Sequence, residues 1–103
     1  MPITYTIIND FTEIGTCEGL PITEQGRAFV LVPSSYLGTV SVGDTLVSPD
    51  GQYLKIYMDD YVLENNELKA IKFFYEYLIL PCIKFLLLKY REVFLLLSIH
   101  SYD

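Results

Sequence analysis

Histidine occurs once, at His100, and cysteine twice, at Cys17 and Cys82; tryptophan is absent. Neither cysteine belongs to a C-x-x-C pair, so the ligand inventory of a structural zinc site is missing. Two cysteines exclude a disulfide-rich scaffold, and the default is a pair of reduced thiols. No phosphate-cradling loop of the G-x-x-x-x-G-K-[ST] or G-x-G-x-x-G type occurs. Basic residues are few: seven against thirteen acids, a net charge of -6. Direct nucleic-acid binding is disfavoured by that balance. The start, Met1-Pro2-Ile3-Thr4-Tyr5, lacks the basic and apolar stretches of a secretion signal, so a cytoplasmic location is expected, with membrane association open. Glycine stops at Gly51, and from Ile71 onward there is no alanine either.

What is present is apolar. At 103 residues and 51% hydrophobic content, the chain has material for one domain and is no disordered tail. Its composition changes near Asn65/Asn66. Residues 1–65 hold nine acids, two bases and all six glycines; residues 66–103 hold five bases and four acids. Apolar residues number 29 of the first 65 and 24 of the last 38. The sequence therefore predicts an acidic, turn-rich β module (1–65) followed by a helical segment (66–103).

In the module, Ile3-Thr4-Tyr5-Thr6-Ile7 alternates as a half-buried strand does. Residues 9–27, punctuated by Gly15, Gly19, Pro21 and Gly26, read as loop. Ala28-Phe29-Val30-Leu31-Val32 reads as a strand buried on both faces, and Gly38–Val42 as another alternating one. Ser48-Pro49-Asp50-Gly51, between Thr45-Leu46-Val47 and Gln52–Met58, marks a β-hairpin: proline presets φ and glycine accepts a positive one. Tyr61-Val62-Leu63 adds a short strand. Together these suggest a small β-barrel or curled antiparallel sheet.

The second part reads as helix. Asn65 or Asn66 can cap it, and Leu68, Ile71, Phe74, Tyr75, Leu78 and Ile79 recur at three- and four-residue steps. Lys72 and Glu76 are placed to pair on the other face. Pro81 breaks the helix, and residues 82–99 continue as a very apolar one. The window 78–97 has roughly spanning length but contains Lys84, Lys89, Arg91 and Glu92. At about 2.5–3.5 kcal/mol per mid-span charge, these outweigh what the leucines recover. The fold class expected is therefore α+β.

Catalytic chemistry finds little support. A Cys–His pair would need Cys17 or Cys82 to meet His100, and nothing local arranges it. Asp59, Asp60 and Glu64 do not have the spacing of a calcium loop. Tyr57-Met58-Asp59-Asp60 resembles the metal-binding turn of reverse transcriptases, in which two aspartates on a β-hairpin hold magnesium. The resemblance covers four residues, and the 56 before it leave no room for the rest of a polymerase. We read it as a tyrosine-rich strand ending in an acidic turn. Neither metal nor cofactor is expected.

Five of the nine tyrosines fall in residues 1–65. Tyr53, Tyr57 and Tyr61 are spaced by even steps, so an unbroken strand puts them on one face, beside Asp59 and Asp60. The expectation is a non-enzymatic interaction or assembly subunit, in the style of a small viral or phage accessory protein, docking on a protein partner or on itself as a homo-oligomer. Its contact residues would be Leu78, Phe85, Leu87, Leu88, Phe94 and Leu95 on the helix and Tyr53, Tyr57, Tyr61, Asp59 and Asp60 on the module. Two alternatives stand beside it. One is a peripheral membrane protein anchored by residues 82–99. The other is an acidic inhibitor of a basic nucleic-acid-binding protein.

Overall fold

The computed structural model of the protein describes residues 1–78, and these form a closed antiparallel barrel of six strands. The strands are β1 (Ile3–Asn9), β2 (Thr12–Glu24), β3 (Arg27–Pro33), β4 (Thr45–Val47), β5 (Tyr53–Glu64) and β6 (Glu67–Leu78). Around the barrel they run β1-β2-β3-β6-β5-β4, and β1 closes on β4 through Thr6 to Ile8.

The barrel half of the expected fold is present; the α+β class is not. Glu67–Leu78 is strand, inserted between β3 and β5, where helix was expected from residue 66. The reason lies in its burial. Ile71, Phe73 and Tyr75 point into the barrel, while Phe74 is buried on the outside. A strand covered on both faces loses its alternation, and its apolar positions then mimic a helical stripe. Lys72 and Glu76 do not pair: four strand residues separate them by about 13 Å. The Pro81 break and the 82–99 segment lie outside the described residues.

Asn65 and Asn66 do not cap a helix. They form a two-residue hairpin turn between Glu64 and Glu67, both with positive φ. Asp10–Phe11 and Gln25–Gly26 make the same kind of turn, with φ between +52° and +76° across the three. Positive φ at both central residues matches the twist of the flanking strands, and asparagine tolerates it better than most residues. The hairpin expected at Ser48–Gly51 is present. The Gly51 N–H donates to the Ser48 carbonyl at 2.9 Å, with Pro49 second in the turn and Gly51 at φ +87°.

Two further expectations fail. Residues 9–27 are mostly β2, not loop. Gly19 sits there because a Cβ would collide with the Val30 side chain and come within 3.1 Å of the Leu31 carbonyl oxygen. Pro21 lies beyond the last β1 pairing at Gly19, where its missing N–H interrupts no β1–β2 ladder. Residues 38–42 form no strand; the chain turns there and inserts Val40 into the core beside a single Leu37–Val40 bridge.

Twelve side chains fill the interior: Tyr5, Ile7, Cys17, Val30, Val32, Val40, Leu46, Leu54, Ile56, Ile71, Phe73 and Tyr75. They come from every strand and from the 34–44 loop, so no strand pair is stable by itself. Outside, Ile22, Phe29, Phe74 and Met58 form one cross-strand row. The Arg27 guanidinium lies 4.4 Å above the Phe74 ring and the Lys72 ammonium 5.1 Å from the Phe29 ring centre. These cations and their stems shelter a second, external apolar layer.

Candidate functional site

A barrel can function through its lumen, its surface clefts or its projecting parts. The lumen here is packed. An open groove of about 240 Å³ lies along Pro2, Leu20, Leu31 and Ala70. That is below the roughly 300–1,000 Å³ of pockets that enclose small ligands.

The buried ionisable groups serve structure. Cys17 faces Tyr5 across the β1–β2 ladder, and both are 1% exposed. Burial pushes the Cys17 thiol up to about 11, so it stays protonated and a poor nucleophile at neutral pH. Burial, and next the neighbouring thiol, raises Tyr5. Burial, and next the Tyr77 phenol, raises Tyr75; the two rings meet edge-on at 5.4 Å. Asp44 is the one buried charged residue among those described. Its Oδ1 accepts from Asn9 Nδ2 at 2.7 Å and its Oδ2 from the Ser41 N–H at 2.9 Å. The Asp44 carbonyl accepts the Ile56 N–H at 3.0 Å. Asp44 thus ties the 41–44 turn to β1 and β5. In the sequence it is one of nine acids in residues 1–65, set apart only by the preceding Gly43.

The projecting part is the β5–β6 hairpin. β4 pairs with β5 only at Tyr53–Lys55, and β3 pairs with β6 only between Ala70 and Phe74. Beyond Lys55 the outer side of β5 is an open edge, backed as far as Val62 by β6 residues that β3 still holds. Only residues 63–69 project past both neighbours, turning at Asn65–Asn66; edge and tip together make the arm. Three of the five expected module residues, Tyr61, Asp59 and Asp60, lie on it; Tyr57 stands at its root and Tyr53 back in the barrel wall. Tyr57, Tyr61 and Leu63 are 44%, 55% and 62% exposed, and Asp59 and Asp60 are also exposed. Leu63, read in the sequence only as part of a short strand, was not among the expected contact residues.

The tyrosines do not share one face. Between Ile56 and Met58 the register slips, and Tyr57 is the extra residue of a β-bulge. A bulge reverses which side later residues take. Tyr61 therefore stands opposite Ile71, on the side that continues the barrel interior, whereas Tyr53 stands opposite Leu78. Leu78 is half-buried at the far end of β6. Phe85, Leu87, Leu88, Phe94 and Leu95 lie outside the described residues.

The reverse-transcriptase resemblance does not extend to geometry. Tyr57-Met58-Asp59-Asp60 runs through the body of β5, and the turn comes at Asn65–Asn66. Asp59 stands opposite Phe73 and Asp60 opposite Lys72, so the two carboxylates lie on opposite faces. Among the described residues no three His, Cys, Asp or Glu side chains cluster to hold a metal ion. Nor is any helix among them long and apolar enough to cross a membrane.

No protein-family model matches the chain, and no curated protein or solved structure is significantly similar to it.

Proposed function

We propose that the chain is a small non-enzymatic interaction module whose contact surface is the β5–β6 arm. One observation carries this reading. In a barrel with a full interior, β5 runs on as an open edge, and that edge and its tip bear Tyr57, Tyr61 and Leu63 in solvent. Leu68, opposite Leu63, packs against the core, but Tyr57, Tyr61 and Leu63 are each exposed, so burial inside the barrel does not account for them. Tyrosine suits a contact surface, since it offers a large ring and a hydroxyl at low entropic cost. The neutral, buried Cys17 leaves the barrel without an activated thiol, which accords with a binding role.

The test is selection of a random peptide library against the full chain, followed by affinity measurement on a Tyr61→Ser/Leu63→Ser variant. Both positions are exposed, so each substitution should change stability by no more than about 0.5 kcal/mol. Selected ligands should bind the variant about tenfold or more weakly. Ligands that bind both forms equally would overturn the reading.

A further inference from the structure

Closing a sheet into a barrel removes its edges, and here the closure is incomplete. Among the described residues, nothing pairs with the outer side of β5 from Met58 to Glu64. β4 ends its ladder at Lys55, and only Ile56 is bonded further, to Gly43 and Asp44. The open stretch is long enough for one added strand, since strands average about five or six residues. Alternate N–H and C=O groups along it lack a ladder partner on that side.

We infer that this edge receives an extended basic peptide of a partner protein as an added β-strand. The inference rests on the arm being the contact surface and names what binds there. Charge identifies the occupant. Asp59, Asp60 and Glu64 lie on the open stretch, which has no lysine or arginine. Lys72, opposite Asp60, directs its ammonium to the Phe29 ring; Lys69–Glu67 is the one ion pair among the described residues. The three carboxylates are therefore uncompensated by any salt bridge there. A second copy is the wrong occupant. Edge-to-edge pairing would bring three carboxylates from each copy to strand spacing, about 4.8 Å, and like charges across a ladder destabilise it. Because Asp59 and Asp60 occupy opposite faces, the incoming strand must carry basic side chains on both of its own. Main-chain bonds supply affinity in strand addition, and side chains of this pattern supply selection.

The probe is a short labelled peptide of repeating valine-lysine-lysine. Binding to the full chain is read by fluorescence anisotropy, and amide exchange across residues 58–64 by NMR. The peptide should bind, slow the exchange of edge-facing amides, and weaken as salt rises. N-methylation of its backbone should abolish binding, and a glutamate analogue should not bind. Asp59→Lys/Asp60→Lys should lower affinity about tenfold or more, with Asp59→Asn/Asp60→Asn between it and the parent. Equal binding by the N-methylated peptide, or protection of the same amides by self-association, would overturn the inference. So would arm-dependent library ligands without basic character, and that result leaves the interaction reading standing. Library ligands indifferent to the arm would overturn both.

Discussion

Replacing Asp44 tests whether its buried carboxylate holds the closing turn of the barrel. Asp44 is 3% exposed and has no basic partner within salt-bridge distance among the described residues. It is held by the Asn9 amide and the Ser41 N–H, at 2.7 and 2.9 Å. Asp44→Ala removes both acceptors, but the donors belong to Asn9 and Ser41, which are exposed and can turn to water. The loss is then that of two charge-assisted hydrogen bonds, about 1.5 kcal/mol each or somewhat more, partly offset by no longer burying a charge. We expect a net loss of about 2 kcal/mol. At roughly 4–8 °C per kcal/mol for a domain of this size, Tm should fall by about 8–16 °C.

Asp44→Asn keeps the shape and one acceptor, but turns its NH2 toward the other donor. It should lose about 1 kcal/mol. The assay is urea unfolding followed by far-UV circular dichroism, with Asp60→Ala as an exposed control expected within about 0.5 kcal/mol of the parent. A double-mutant cycle with Asn9→Ala should return a coupling of about 1 kcal/mol or more. If Asp44→Ala stays within about 0.5 kcal/mol of the parent, or Asn is worse than Ala, the carboxylate does not hold the turn.

Phe11 is 89% exposed at φ +64°, so its ring contributes little burial and its backbone is strained. Phe11→Gly should stabilise the protein by up to about 1 kcal/mol in the same assay, and a loss would show that the ring makes a contact that matters. Gly19→Ala should destabilise by about 1–3 kcal/mol, since the new Cβ meets Val30 and the Leu31 carbonyl; an unchanged unfolding midpoint would contradict that packing. In a Cys82→Ser background, Cys17 should resist thiol reagents at neutral pH until the protein unfolds, and rapid native labelling would refute its burial. Its raised pKa also sets a sign. The folded state favours the neutral thiol, so this contribution is whole below 9.0 and is lost as pH rises toward about 11. Tyr5 and Tyr75 shift in the same direction, so urea midpoints should fall through that range, and less steeply in Cys17→Ser.

Local chemistry was legible wherever it settled structure alone. Pro49 and Gly51 marked their hairpin, and Ile3–Ile7 announced its strand by alternation. β6 was misread because Phe73, Phe74 and Tyr75 are all buried, which erases the period of two. Its aromatic content argued for strand, and Asn65-Asn66 is as good a two-residue turn as a helix cap. Tertiary burial decided between these readings, and it is absent from a local window. The bulge at Tyr57 was illegible for a different reason. Which residue is extra depends on the register against β6, and nothing in Ile56-Tyr57-Met58 specifies that register. The shared face expected for Tyr53, Tyr57 and Tyr61 was thus misassigned.

The acidity of the described barrel acquires a physical sense from the same geometry. An open, tyrosine-bearing strand edge is an aggregation hazard, because any extended chain can complete its ladder. Proteins often guard such edges with lysine, which repels a second copy as well as carboxylate does. Repulsion alone would not distinguish the two signs. The sign matters only for what is admitted: a lysine-guarded edge selects acidic strands, and an edge bearing Asp59, Asp60 and Glu64 selects basic ones. The two roles make separate demands. Protection against self-pairing requires only net charge and should survive replacement of these acids by lysine. Selection of a basic strand should reverse with that replacement, so an Asp59→Lys/Asp60→Lys/Glu64→Lys variant should remain monomeric while losing the basic peptide. A variant that aggregates would mean that the carboxylates protect the edge by their identity rather than by their charge.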